Sequence, residues 1–322
     1  MPSYYISSNF KDDTQVILIS QHFFTAQPHF SIIPSHPKSI LSYIPPIPLY
    51  STPAQLINTL QVVSPLQAIL DYELSLAIPP GWVNHSISST APTGTWQALE
   101  RGEILLDSHF FRAFHKDLHN PELWRSFYQN KRKPIHIFPT LCFFKRPYPN
   151  TPIPPLPEMD VEALFWSMMR ASRHQDPWMY PALNKLKKSG KYIIAALSNT
   201  VIFPPSHPYS SHTNTIHAFF DVFISSAHVG LRKPEPEIYY LALRAVDEFS
   251  RNSGRGEVQA DDVLFLDDIG ENLKAGRRTG FRTLKVGLGR AFEAVDELEA
   301  ITGLELGGSH PLVAVEPKIP SS

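Results

Sequence analysis

Cysteine is nearly absent from this chain. Cys142 is the only one among 322 residues, so no intramolecular disulfide bond can stabilise the fold. Long apolar runs are also absent, because no stretch approaches the roughly 20 consecutive apolar residues that a membrane-spanning helix needs. The N-terminal MPSYYISSNFKDD lacks the basic-then-apolar order of a signal peptide. We therefore expect a soluble, cytoplasmic protein without a membrane partner.

An excess of positive charge is lacking too. The chain carries 29 Lys and Arg against 30 Asp and Glu, a formal net charge of −1, and no basic run forms a stripe. Such a chain has no obvious means of neutralising a phosphate backbone, which argues against nucleic acid as a partner. The 43% hydrophobic content is enough for a substantial buried core.

Proline is abundant but unevenly distributed. Many of the 31 prolines crowd into the first sixty residues and into a stretch near 147–157, and neither crowd can form a helix or a central strand. We predict an irregular proline-rich leader at 1–61 with one strand-like run at 15–20. A helical subdomain at 62–172 follows, with a proline-rich insertion near 133–157. The remainder is divided into an α/β core at 173–310 and a tail at 311–322.

The α/β assignment comes from alternating apolar runs and helical stretches. Helical patterns at 161–172 and 181–188 come first, and others at 236–249 and 272–279 separate the later runs. Near-continuous apolar runs indicate strands of a parallel sheet that is covered on both faces. The predicted strands are 192–197, 222–224, 263–266 and 283–286.

Polar side chains that can bind a phosphorylated ligand follow these strands, at the edge where the carboxyl ends of parallel strands meet. Ser198 and Asn199 offer neutral hydrogen-bond donors to phosphate oxygens. Lys233 precedes a proline at a helix entrance, so its ammonium group can be aimed at a phosphoryl group. Asp267 and Asp268 are adjacent carboxylates that need a cation, and oxygen ligands of this kind suit Mg²⁺.

Each motif also has an ordinary structural explanation. Ser198 and Asn199 can form a capping turn, and Lys233 can be a solvated surface lysine. The two aspartates can cap a helix N-terminus. The order of the three motifs, each after its own strand and separated by helices, is more specific than any one of them.

That order resembles motifs two to four of the haloacid dehalogenase-like (HAD) hydrolase superfamily. The resemblance covers about residues 181–289 and implies a Rossmannoid parallel sheet with a helical cap. It also implies the role of each residue. Phosphoryl oxygens would be bound by Ser198 and Asn199, Lys233 would bridge phosphate and nucleophile, and Mg²⁺ would be held by Asp268 with Asp267 beside it.

The helical subdomain carries a narrower resemblance. The segments PPGWVN at 79–84 and WQALERGEI at 96–104 are similar to the cap of one HAD branch. This branch contains the N-terminal phosphatase domain of soluble epoxide hydrolases and the HAD domain fused to some acyl-CoA dehydrogenases. Caps in this family close over the site and select the substrate. Glu100, Arg101 and Glu103 can face the site, although solvated charges at a helix end are the interpretation we favour.

The resemblance also implies an aspartate nucleophile at the end of a first, central strand, and the expected position has none. Residues 58–65, directly before the cap, read NTLQVVSP. Run 16–19 is the one leader run apolar enough to fill the central strand position. However, it is followed by Ser20, Gln21 and His22, and a linker of about forty residues would then lead to the cap. We assign no nucleophile–base role to Ser20 and His22.

We therefore expect an HAD-like protein with a Mg²⁺-dependent, phosphatase-type site that retains motifs two to four but is inactive without a nucleophile. The expected partner is a small phosphorylated molecule. The alternative is a non-catalytic module that binds or senses a phosphorylated metabolite. The chain is either a true pseudoenzyme or a sequence that has lost the segment with the nucleophile. The abrupt change from leader to family-like cap near Val62 favours the second explanation.

Overall fold

The computed structural model describes residues 15–22, 65–129, 152–210 and 219–315. Most of the predicted leader, the greater part of the proline-rich insertion and the end of the tail lie outside these residues. The described part contains a five-stranded sheet with helices on both faces and a separate group of helices. None of the helices in this part is both long and apolar enough to cross a membrane.

The sheet is parallel throughout, as the alternating pattern predicts. Its spatial order is β3-β2-β1-β4-β5, with β1 in the centre. All four strands predicted from the α/β part of the sequence are present. The strands are β1 (Gln15–His22), β2 (Tyr192–Asn199), β3 (Val222–Ser225), β4 (Val263–Asp267) and β5 (Arg282–Lys285).

Strand β1 occupies the central position of the sheet and contains run 16–19, the one leader run apolar enough for that position. It pairs in parallel with β2 on one side and with β4 on the other. Its four apolar residues are buried, and their period of two sends them alternately to opposite faces of the sheet. Ile17 and Ile19 pack into one core, whereas Val16 and Leu18 pack into the other.

Helices cover both faces of the sheet. On the face of Ile17 lie α7 (Met179–Ser189) and α11 (Ala291–Thr302), and on the face of Leu18 lie α9 (Pro236–Asn252) and α10 (Gly270–Arg278). A single turn, α8 (Ser226–Val229), follows β3. The predicted helices at 181–188, 236–249 and 272–279 are confirmed. Helix α11 has no counterpart among the predicted helices.

The remaining helices form a helical unit around an aromatic core. They lie within the predicted helical subdomain at 62–172, and α6 confirms the helical pattern at 161–172. Trp82, Phe110, Phe114 and Phe165 are fully buried in this core and make edge-on or stacked ring contacts. The helices are α1 (Leu66–Ser75), α2 (Trp82–Ser89), α3 (Thr95–Glu100), α4 (Ser108–Leu118), α5 (Pro121–Gln129) and α6 (Val161–Ala171).

A buried carboxylate joins α1 to the start of α2. Glu73 is 1% exposed. Its Oε2 accepts a hydrogen bond from Gly81 N at 2.7 Å, and its Oε1 accepts one from Val83 N at 2.8 Å. Burial raises the pKa of Glu73 to about 7, although the backbone donors oppose that rise.

The raised pKa of Glu73 predicts that stability falls with rising pH. Between pH 4.5 and about 7, the folded chain holds a proton on Glu73 that the unfolded chain has lost. The free energy of unfolding should therefore decrease across this window, by up to ~3 kcal/mol from this group. Urea unfolding at several pH values measures this decrease in the free energy of unfolding. Glu73→Gln should flatten the profile, whereas the exposed Glu122→Gln should not, and identical profiles for both variants would contradict the assignment.

The position of β1 predicts a large cost for truncating its core side chains. Leu18→Ala removes a fully buried side chain from the central strand and should lower the free energy of unfolding by ~2–5 kcal/mol. Leu105, which is 74% exposed, supplies the matched control because Leu105→Ala removes the same atoms from a surface site. Urea unfolding compares the two variants. Equal, small losses would show that β1 does not lie in the sheet.

Candidate active site at the carboxyl ends of the strands

The central strands bring polar residues together at one edge of the sheet. Ile19 on β1 pairs with Leu266 on β4, so the next residues, Ser20 and Asp267, lie side by side. Ser20 is also the register partner of Leu197 on β2. The carboxyl ends of β1, β2 and β4 therefore form one polar cluster, as a parallel sheet requires.

Lys233 enters this cluster from the loop between α8 and α9, and its side chain is completely buried. Its Nζ donates hydrogen bonds to Ser20 Oγ, to Leu197 O at 2.8 Å and to Asp267 Oδ2 at 3.3 Å. The alternative of a solvated surface lysine is therefore wrong. Burial lowers the pKa of Lys233, while the carboxylates of Asp267 and Asp268 oppose that change.

The backbone of Lys233 is fixed by the side chain of Asn199. Lys233 N donates to Asn199 Oδ1 at 2.9 Å, and Asn199 Nδ2 donates to Lys233 O at 3.1 Å. Ser198 and Asn199 are both buried at the end of β2. The side-chain amide of Asn199 therefore positions the backbone of Lys233, a function that was not predicted for it. Ser198 and Asn199 stay predicted phosphate ligands.

Asp267 is held by donors from three directions. Its Oδ1 accepts from Ile269 N at 2.7 Å, and its Oδ2 accepts from Asn272 Nδ2 at 3.0 Å as well as from Lys233. The contact with Ile269 N is a turn that precedes α10, and among the described residues α10 itself has no side-chain capping hydrogen bond, so Asp267 is not the helix cap of the structural alternative. Asp268 is less buried and lies close enough to Lys233 to interact with its charge.

The donor set at the end of β4 suits a hard cation. Asp267 and Asp268 offer carboxylate oxygens, which are the ligands that Mg²⁺ takes in proteins. Lys233 contributes one positive charge against these two carboxylates. Because Asp267 already accepts three hydrogen bonds, the larger share of any metal coordination would fall to Asp268.

Glu100 connects the helical unit to this cluster. It is 3% exposed, and its Oε2 accepts from Arg232 Nε at 2.6 Å and from Asn199 Nδ2 at 3.4 Å. The expectation of a solvated helix-end charge is therefore wrong for Glu100, because the end of α3 packs against the loop that carries Arg232. Arg101 pairs with Glu235 at 2.9 Å across the same boundary.

These features define an α/β protein with the HAD-like parallel sheet and accompanying helices, as predicted. Residues 158–280 match the family model described as haloacid dehalogenase-like hydrolase. This region contains β2 to β4 and the residues Ser198, Asn199, Lys233, Asp267 and Asp268. Over this region, which is less than half of the chain, the sequence is similar to the haloacid dehalogenase-like hydrolase family.

Curated relatives with a partial sequence match include proteins of the predicted branch. The chain is 39% identical to acyl-CoA dehydrogenase family member 10 of Mus musculus over 87 residues. These residues are 27% of this chain and 7% of that protein. It is 37% identical to bifunctional epoxide hydrolase 2 of Sus scrofa over 87 residues. These residues are 27% of this chain and 14% of that protein. The matched segment is thus a small part of each relative.

Solved HAD structures are similar at low sequence identity. A dehalogenase determined as an intermediate complex is 14% identical with a TM-score of 0.44, covering 92% of this chain and 100% of that one. A HAD family enzyme from Bacteroides thetaiotaomicron, determined as a magnesium complex, is 15% identical with a TM-score of 0.42, covering 88% and 98%.

The buried ion pair predicts a large loss of stability when only its cation is removed. Lys233→Met leaves Asp267 buried without a counter-charge and should lower the free energy of unfolding by ~3–5 kcal/mol. Combining it with Asp267→Asn should recover part of that loss. Lys274→Met is the control, because Lys274 is 58% exposed and pairs with Glu271 at the surface. Urea unfolding of the four proteins tests this, and a Lys233→Met protein as stable as Lys274→Met would contradict it.

Proposed function

We propose that this site binds the phosphate group of a small phosphorylated molecule together with Mg²⁺, and that the chain in this form does not hydrolyse it. The observation that carries the proposal is the triple contact of Lys233 Nζ with Ser20, Leu197 O and Asp267. It places a buried cation at the carboxyl end of the central strand, where the ligand of an open parallel sheet binds. A hydroxyl group occupies the position beside it that a carboxylate nucleophile would need.

Binding follows from the charges and donors of the cluster. Lys233 supplies a cation for a phosphoryl oxygen, and Ser198 adds a neutral hydroxyl at the end of β2. Mg²⁺, held by Asp268 with Asp267 beside it, would offset the remaining phosphate charge. The phosphate specificity of these groups is general, so it defines a class of ligand rather than one metabolite.

The absence of turnover follows from the surroundings of Ser20. A serine hydroxyl attacks phosphorus effectively only when a base removes its proton. Lys233 donates to Ser20 Oγ, so it acts as a hydrogen-bond donor and not as a proton acceptor. The Asp267 carboxylate is committed to Lys233, Asn272 and the backbone of Ile269. Ser20 therefore contributes polarity without the reactivity of an ionised group.

Ser20→Asp should create activity. The change adds a carboxylate beside Lys233 at the end of β1, where attack on phosphorus can form an aspartyl phosphate that water hydrolyses. We expect Mg²⁺-dependent hydrolysis of para-nitrophenyl phosphate by Ser20→Asp, and background rates for the wild type and for Ser20→Asn, which matches aspartate in size. Adding Asp268→Asn to Ser20→Asp should abolish the activity.

Binding is measured separately so that a lack of turnover can be interpreted. Calorimetric titration of the wild type with inorganic phosphate in the presence of Mg²⁺ should show binding that Asp268→Asn weakens. Wild-type hydrolysis above background would contradict the proposed inactivity. A wild type that binds no phosphate, together with an inactive Ser20→Asp protein that is folded, would remove the site assignment altogether.

A further inference from the structure

A second cluster of ligating side chains lies in the helical unit, away from the strand ends. His115 and His119 lie one turn apart on α4, and Glu158 lies in the segment directly before α6. The spacing of four residues places both imidazoles on one face of the helix, and their rings stack with centroids 3.6 Å apart. Three groups capable of binding a metal thus converge from two separate parts of the chain.

The atoms of this cluster lie near the separations that a tetrahedral metal ion requires. His115 Nε2 lies 2.8 Å from Glu158 Oε1, and His119 Nε2 lies 3.7 Å from Glu158 Oε2. All three ligand atoms lie within 4.8 Å of one another. Bonds of about 2.0–2.1 Å in tetrahedral geometry put neighbouring ligand atoms about 3.3 Å apart. Small side-chain movements would therefore complete the coordination.

The outer contacts of His119 favour the tautomer that binds metal. Its Nδ1 lies 2.9 Å from His115 O, which fixes the ring and places the proton on that nitrogen. The lone pair is then on Nε2, on the side of Glu158. This lone pair accepts a hydrogen bond from Met159 N at 3.1 Å, so a metal ion would replace that bond. We expect this exchange to limit the affinity.

Access for the ion is provided by an open depression of ≈ 410 Å³ beside the histidines. His115 and Glu158 are accessible, with side-chain exposures of 36% and 83%, while His119 is more enclosed at 15%. Such a depression leaves room for water as a fourth ligand. The lining residues are His115, Lys116, His119, Asn120, Pro121 and Glu122.

We propose that His115, His119 and Glu158 form a binding site for Zn²⁺ that links the end of α4 to the start of α6. Two imidazoles and a carboxylate match the borderline character of Zn²⁺, whereas Mg²⁺ prefers an all-oxygen set. This site is therefore chemically distinct from the carboxylate cluster at the strand ends. Its occupation would stabilise the helical unit, because the ion binds the folded arrangement and not the unfolded chain.

Calorimetric titration of the chelator-treated full chain with ZnCl₂ tests the site. We expect one equivalent of Zn²⁺ to bind in the presence of excess Mg²⁺, and His115→Asn and Glu158→Gln each to weaken this binding by about 10-fold or more. Both substitutions alter accessible side chains, so the variants should remain folded. His109→Asn is the matched control, because His109 is an exposed histidine on the same helix.

Thermal unfolding supplies a second measurement. Zn²⁺ should raise the melting temperature of the wild type and of His109→Asn, and raise it less in His115→Asn and Glu158→Gln. Equal Zn²⁺ affinity in all four proteins would overturn the proposal, because the binding would then lie elsewhere. A wild type that binds no Zn²⁺ would also overturn it and leave the cluster as a simple His–Glu hydrogen bond.

Discussion

The ion pair between Lys233 and Asp267 is fully buried, and the ends of three strands are arranged around it. Removing two such charges from water costs several kcal/mol for each ion, so their mutual attraction suffices only when other polar groups replace the lost water. Leu197 O and Ser20 provide this for the ammonium, and Asn272 provides it for the carboxylate. Strands β1, β2 and β4 and helix α10 must therefore all be in place before the pair is stable.

The same pair is connected to the helical unit through one amide. Asn199 binds the backbone of Lys233 and also contacts Glu100, which in turn pairs with Arg232, the neighbour of Lys233. A displacement of α3 would remove Glu100 from Asn199 and Arg232 together, leaving polar groups unpaired beside the buried lysine. The position of the helical unit and the geometry of Lys233 are thus linked by direct contacts, which is the physical requirement for coupling between them.

The sheet could be predicted from the sequence because its strands are uninterrupted apolar runs. The run at 15–20 could be placed because the predicted sheet needed a central strand. The surroundings of the residues near the strand ends could not be predicted in the same way. The burial of Glu100 depends on how α3 packs against a loop 132 residues later, which no local pattern encodes. The HxxxH spacing of His115 and His119 is visible in the sequence. Glu158 lies 43 residues beyond His115, so its place beside the two histidines could not be predicted from the local pattern.

A hydroxyl group at position 20 changes the charge balance of the cluster. If a carboxylate stood there, Lys233 would face three acidic groups, Asp267, Asp268 and the new one, and their repulsion would make the folded state depend on a bound cation. With Ser20, the ammonium bonds to one buried carboxylate and to neutral oxygens, so most of this repulsion is absent. Active sites commonly reduce the stability of the proteins that contain them. A neutral hydroxyl at position 20 is therefore compatible with this fold and with a buried Lys233–Asp267 ion pair at its centre.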